Sequence, residues 1–161
     1  LTEAVDSKRG LAHVIPPGGK PEFSCLANDE ASLAVACLDA ADATGERRYA
    51  EAARASLLRL VERFHDPKTG TYLDRPANED PAPPALGRLN EPVRPFTDTP
   101  GSSLNALAAQ AHLRWGRRAQ DETQVARARE VVRAFGRALE RLGPSVASLV
   151  LVADELYGKK P

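Results

Sequence analysis

The sequence predicts an all-α fold of tandem helical hairpins, and three observations support this prediction. Apolar residues recur at the three- and four-residue spacing of amphipathic helices. Segments rich in Pro and Gly divide these runs into pairs. One turn pattern occurs twice, each time ahead of a pair. Because recurrence of one supersecondary unit is typical of stacked hairpins, we expect residues 1–161 to form a single helical-hairpin domain.

The first pair of predicted helices follows a loop rich in Pro and Gly. A helix is expected from about Asp29 to Ala43, with Asn28 or Asp29 as its N-cap. Gly45 is expected to end it, since glycine readily adopts the left-handed conformation found there. The second helix, from about Glu46 to Phe64, carries one regular apolar stripe and should therefore bury one face.

A second pair of helices is predicted after the next breaker-rich segment. Ser102 or Ser103 is placed to cap its first member, which Gly116 is expected to close. Asp121 opens its second member, whose apolar stripe extends to Leu142. The segment therefore has the composition of another helical hairpin.

The last predicted helix runs from Ser145 to Tyr157. The Gly143-Pro144 step stops the preceding helix and sets the start of the new one. The centre of this helix is apolar nearly all round, so we expect it to be buried between other elements.

The repeated turn has the pattern D-x-K-x-G, at Asp6 to Gly10 and at Asp66 to Gly70. A short extended run, a Pro-rich loop and a helix pair follow each copy, and Arg75 to Gly101 forms a long loop between the repeats. The alternative is convergence, because Asp, Lys and Gly are all common in turns. If the repeat is real, Leu1 to Val5 corresponds to the last turn of a helix. With no Met at position 1, this predicts that the chain starts within a unit and is a fragment of a longer protein.

Composition excludes several classes of function. The 22 basic and 22 acidic residues cancel, so no nucleic-acid partner is expected. No apolar run approaches the roughly 18 residues of a membrane span, so no membrane partner is expected either. Cys25 and Cys37 are interpreted as reduced thiols of a cytoplasmic protein, with a disulfide between them as the alternative. Neither a metal site nor a cofactor is expected.

Several short motifs resemble one known family. They are the opening Leu26 to Ala31, the helix turn Ala43 to Tyr49, the turn and strand Asp66 to Asp74, and the helix entry Pro95 to Ser103. From about residue 10 to residue 157 the chain resembles the C-terminal helical-barrel region of thioredoxin-domain-containing proteins, including the spermatogenesis-associated thioredoxin-like proteins. It departs from the family pattern in having PGSS at the helix entry and a single glycine in the turn.

The resemblance implies an (α/α) barrel related to N-acylglucosamine 2-epimerases and six-hairpin glycosidases. This chain would be a partial barrel, made of the final hairpins with short extended turns between them. The implied function is binding or transformation of a sugar-like small molecule, in a site shared with the remainder of the parent protein or a second copy. The alternative is a helical-repeat scaffold that binds a protein partner without catalysis.

Three residues are candidates for catalysis: His13, Asp29 and Asp98. Related barrels use imidazoles as general acid and base, and the resemblance places His13 on a strand that faces the central cavity. Asp29 and Asp98 both lie near the start of the first helix of a hairpin, where two carboxyl groups could converge for glycoside chemistry. The alternative for both aspartates is capping of a helix N-terminus.

Three further residues are candidates for ligand binding: Glu30, Tyr72 and Phe96. The two aromatic residues lie in predicted loops and could stack on a sugar ring. Glu30 lies where the family resemblance is clearest. The other histidines have structural interpretations, His65 as a cap at a helix C-terminus and His112 as a partly buried residue of a helix.

Overall fold

The computed structural model describes residues 4–6, 10–22, 26–76 and 91–158. These residues are mainly helical, which confirms the prediction of an α-helical chain. Their five helices are α1 (Ala27–Thr44), α2 (Arg47–Phe64), α3 (Leu104–Ala119), α4 (Glu122–Leu142) and α5 (Ala147–Tyr157). A 3-10 turn, Gly143–Val146, leads into α5. In the part of the chain described, no helix is long and apolar enough to cross a membrane.

A two-stranded β-hairpin precedes each helix pair. Strands β1 (Val5–Asp6) and β2 (Gly10–Leu11) pair antiparallel, as do β3 (His65–Asp66) and β4 (Thr71–Tyr72). The order of strand, strand, helix, helix thus occurs twice. Because Val5 lies in β1, the expectation that Leu1 to Val5 ends a helix is wrong at that residue, whereas residues 1–3 lie outside the described chain.

The described helices pack in two layers. Helices α1, α3 and α5 lie side by side in one layer, and in the second layer α2 packs on α1 and α4 on α3. Helix α3 also contacts α2, so it is the central helix of the structure. Its buried side chains include Ala106, Ala108, Ala109 and Ala111, whose small size allows the neighbouring helices to approach closely.

Gly116 lies where α3 and α4 approach each other closely, and it does not end α3. A Cβ atom at Gly116 would lie 2.7 Å from Cγ2 of Val125, so only glycine fits this crossing. The prediction that Gly116 closes the helix is therefore wrong. Helix α3 continues to Ala119 and ends at Gln120, whose φ of 54° is left-handed.

The N-termini of the helices differ in how they are capped. Helix α1 begins at Ala27 after Leu26, which makes no side-chain capping bond, so neither Asn28 nor Asp29 is its N-cap. In contrast, Ser103 accepts a hydrogen bond from the backbone N–H of Ala106 at the start of α3. A serine cap was predicted for this helix, and it satisfies one of the free N–H groups of its first turn.

Helix α5 has one buried face and one exposed apolar face. Leu149 and Val152 are buried against the other helices, whereas 42% of Val150 and 66% of Leu151 are exposed. The expectation that this helix lies between other elements is therefore wrong for the described chain, in which neighbouring helices cover a single side of it. Cys37 is a buried free thiol, and Cys25 lies outside the described residues.

Candidate functional site

His13 and Asp29 form a contact between the segment after β2 and the first turn of α1. The backbone N–H of His13 donates to the carbonyl of Glu22, and Val14 forms an isolated antiparallel β-bridge with Glu22, which together fix this segment. The Nδ1 atom of His13 lies 2.9 Å from Oδ2 of Asp29. The histidine side chain is 46% exposed and that of the aspartate 17%. The structure thus brings together two residues that the sequence analysis selected separately.

The orientation of this pair leaves one imidazole nitrogen available. When Nδ1–H donates to the carboxylate of Asp29, the neutral ring of His13 has an unprotonated Nε2 that can accept a proton. An aspartate that orients a histidine in this way favours the tautomer needed by a general base. The exposed imidazole can therefore exchange a proton with a molecule bound beside it.

Glu30 is enclosed by partners inside the protein. Its side chain is 6% exposed and accepts from the backbone N–H of Leu11 at 2.9 Å. The Nε and Nη2 atoms of Arg59 donate to its two oxygens at 3.0 and 2.9 Å, and the hydroxyl of Ser56 donates as well. A Cβ atom at Gly10 would collide with this carboxylate, so glycine is needed there. Glu30 was predicted to bind ligand, but here its carboxylate ties β2 to α1 and α2.

Tyr72 is fully buried at the centre of a second polar network. Its hydroxyl lies 2.6 Å from Nε2 of His112, whose Nδ1 lies 2.6 Å from Oε1 of Gln124. The amide of Asn105 accepts from the backbone N–H of Tyr72 and donates to its carbonyl. The ring was predicted to line a pocket, whereas the structure places it in the core, stacked against the imidazole of His112.

Burial sets the protonation states in this second network. It lowers the pKa of His112 to about 4. The hydrogen bond between His112 and the amide oxygen of Gln124 raises this pKa, whereas the positive charge of Arg127 lowers it further. Burial also raises the pKa of Tyr72 well above its usual range. The imidazole is therefore neutral at pH 7, so that Nδ1–H donates to Gln124 and Nε2 accepts from the phenol.

Asp98 and Phe96 contribute to the connection of α3 with its neighbours. The two oxygens of Asp98 accept from the backbone N–H groups of Ser103 and Ser148, at 3.0 and 2.9 Å, so this carboxylate links the starts of α3 and α5. The ring of Phe96 stacks on Phe135 with 4.6 Å between centroids. Both residues thus take part in contacts within the fold.

The candidate residues therefore divide into one exposed pair and several internal contacts. His13 and Asp29 meet, whereas Glu30, Tyr72, Phe96 and Asp98 each bond or stack within the fold. Sequence reasoning did not select Asn105, which the structure shows to be fully buried. An amide among the apolar residues of a helix face is the signal that could have indicated it. Within residues 4–6, 10–22, 26–76 and 91–158, no group of His, Cys, Asp and Glu could hold a metal ion.

The chain was compared with protein-family models and with curated proteins. No family model matches the chain, and no curated protein matches it. Function is therefore inferred from the chain's own residues.

Proposed function

We propose that this chain belongs to an (α/α) barrel that binds a sugar-like small molecule and moves a proton with His13, oriented by Asp29. The observation that carries the proposal is the 2.9 Å contact between these side chains, which lie 16 residues apart. It leaves Nε2 of the half-exposed imidazole as a base. The two-layer packing of consecutive hairpins supports the barrel.

The position of the pair also fits the rim of such a barrel. The backbone N–H of Ala27 donates to the carbonyl of Asp74 at 3.0 Å, so the segment after β4 lies beside the start of α1. Segments that follow the hairpins and the starts of first helices thus approach one another, as the barrel hypothesis requires. Asp29 lies in that first turn, and His13 reaches it from the segment after β2.

Proton transfer next to a carbonyl group is a better fit than hydrolysis of a glycoside. Glycosidases need two carboxyl groups that face each other across the scissile bond. Here both oxygens of Asp98 accept from backbone N–H groups, and Asp29 is paired with His13. A histidine base held by a carboxylate can instead remove the acidic proton on the carbon beside a sugar's carbonyl, the first step of an epimerisation or isomerisation.

Exchange of that carbon-bound proton with solvent tests the proposal. The purified protein is incubated in D2O with reducing sugars and N-acylhexosamines, and loss of the proton signal next to the carbonyl is followed by NMR. We expect His13→Gln to lower the exchange rate by about 100-fold or more, the usual contribution of a general base. Asp29→Asn should lower it less, because the imidazole remains.

The matched control is Asp39→Asn, which changes an exposed carboxylate of the same helix that pairs with Arg114. It should leave the exchange rate unchanged. The absence of exchange with every sugar tested, or equal rates in the wild type and His13→Gln, contradicts the proposal.

A second candidate function is a scaffold that binds another protein through α5. The observation in its favour is the exposed apolar face that includes Val150 and Leu151. Light scattering of the wild type and of Leu151→Lys tests it. Association that the lysine abolishes, without proton exchange on any sugar, favours a scaffold whose partner is a second copy of the chain, whereas a monomeric wild type contradicts association between copies through this face.

A further inference from the structure

A partly enclosed cavity of about 180 Å³ lies between α2, α3 and α4, away from the residues selected from the sequence. One part of its wall is apolar and is formed by Leu57, Leu58, Val61 and Trp115. The other part is polar and is formed by Arg54, Asp121, Gln124 and Arg127. The combination of a large aromatic side chain with a few polar groups is typical of small-molecule sites.

Arg127 brings a positive charge to this cavity without an internal counter-ion. Its Nε–H is buried and has no hydrogen-bond partner among the residues that the structure describes. In contrast, Arg59 forms two hydrogen bonds with the carboxylate of Glu30. No such carboxylate lies within ion-pair distance of Arg127 in the described part of the chain. Since a buried donor costs free energy when it has no acceptor, the guanidinium group of Arg127 is incompletely paired within the described chain.

One acid near Arg127, Glu130 on the same helix, opposes its effect on the pKa of His65, but no ion pair joins the two in the described part of the chain. The charge of Arg127 reinforces burial in lowering the pKa of both His65 and His112, so these imidazoles stay neutral beside it. The nearest acid in the cavity wall, Asp121, accepts from the backbone N–H groups of Thr123 and Gln124 and thereby caps α4. A second cation, Arg54, is exposed on the α2 side of the cavity.

We propose that this cavity binds a small oxyanion, a carboxylate or phosphate group, that pairs with the guanidinium group of Arg127. Arg54 provides the second positive charge, and Trp115 forms the apolar wall against the rest of the ligand. Guanidinium groups bind these anions well because their donors match the spacing of carboxylate and phosphate oxygens. The inference is independent of the proton transfer proposed for His13.

The cavity contains its own reporter, because Trp115 is the one tryptophan of the sequence. Emission of Trp115 is recorded while inorganic phosphate or acetate is added at constant ionic strength, with sodium chloride and glucose as the comparison solutes. We expect a saturable change with phosphate, acetate or both. Which of the two binds more tightly identifies the phosphate or the carboxylate as the preferred group.

Two variants connect this signal to the arginines. Arg127→Gln should weaken binding at least tenfold. Arg54→Gln should weaken it about threefold, because water screens the charge of an exposed arginine. Since Arg54 is exposed, its replacement should also leave the fold intact. The matched control is Arg129→Gln, two positions along the same helix, where the arginine pairs with Glu122 at 3.5 Å outside the cavity. It should bind as the wild type does.

Three results overturn the proposal. They are a response to both anions no larger than that to sodium chloride, equal affinity in the wild type and both cavity variants, and a saturable response to glucose alone. The last result assigns the cavity to a neutral polyol. If Arg127→Gln does not fold, the exposed variant Arg54→Gln decides the outcome.

Discussion

In both hairpin units a side chain joins the first helix to the preceding strand, but the chemical groups involved differ. In each unit, a side chain from the first turn of the first helix accepts a hydrogen bond from the backbone N–H of the preceding strand. In the first unit this side chain is Glu30, whose charge is balanced by Arg59 from α2. In the second unit it is the neutral Asn105, next to a phenol and an imidazole that are also neutral. The connection between a strand and the helix that follows it is therefore made by an ion pair in one unit and by a neutral network in the other.

The difference determines which change in sequence or solution weakens each unit. An enclosed ion pair is sensitive to loss of one partner, because the other charge then remains buried and unpaired. A neutral network is sensitive to acid, because protonation places a charge where none is balanced. We therefore expect single substitutions to affect the first unit most and pH to affect the second.

The largest effect is expected from Glu30→Ala in the first unit. The change leaves the guanidinium of Arg59, the hydroxyl of Ser56 and the backbone N–H of Leu11 without their acceptor. The free energy of unfolding, measured by urea denaturation, should fall by about 3–5 kcal/mol. The control Glu51→Ala removes a shorter but exposed pair with Arg47 and should cost less than about 0.5 kcal/mol. Similar losses for the two variants would show that enclosure does not matter.

Acid should weaken the second unit through His112. Its pKa in the folded state, about 4, lies below the ordinary value of 6.5, so the unfolded chain takes up the proton first. The stabilisation is complete above pH 6.5 and is lost as pH falls from 6.5 towards 4, by about 3 kcal/mol in total. His65 shifts in the same direction, so the specific test is His112→Asn. Urea denaturation across this range should show a shallower pH dependence for the variant, and an unchanged slope contradicts the assignment.

A loss of about 2 kcal/mol is expected for Asn105→Ala, which leaves the buried N–H and C=O of Tyr72 unpaired. The matched control is Asn28→Ala. Asn28 occupies the same second position in α1, but it is exposed there. Its removal should change stability by less than about 0.5 kcal/mol. Thermal or urea denaturation of the two variants side by side measures the difference, and equal losses would mean that the position rather than the bonding is responsible.

The smallest effect concerns the two helix starts. Helix α3 has the cap Ser103, whereas α1 starts after Leu26 without one. We expect Ser103→Ala to cost about 1 kcal/mol in the free energy of unfolding. Ser102→Ala, which removes an exposed bond to Ser148, should cost less than about 0.5 kcal/mol. A loss from Ser102→Ala as large as that from Ser103→Ala contradicts the capping role.

Helix positions could be predicted because their signals are local. Apolar spacing and the glycine at position 45 placed α1 within two residues of its observed ends, and Asp121 marked the start of α4. The exposure of α5 could not be predicted, because burial depends on which helices lie beside it. The end of α3 was misjudged for the same reason. Gly116 is required by Val125, nine residues further along, and not by a helix end.

The candidate site was predictable only in part. The sequence selected His13 and Asp29 by residue type and by family resemblance, but their contact depends on how the segment after β2 returns to α1. The partners that enclose Glu30 and Tyr72 lie even farther away along the sequence. Arg59 lies 29 residues from Glu30, and His112 lies 40 residues from Tyr72. No local sequence pattern links residues so far apart. A carboxylate and an aromatic ring that belong to the core were therefore interpreted as ligand contacts.

The central position of α3 has a consequence for how the molecule opens. Because α3 packs against every other helix of the described chain, neither hairpin unit can separate without exposing the apolar side chains of the other. We therefore expect the two units to unfold as one cooperative block despite their repeated architecture, with the amides of α3 the slowest to exchange hydrogen for deuterium. A repeat of two units joined through one shared helix behaves in this respect as a single folding unit rather than as two modules.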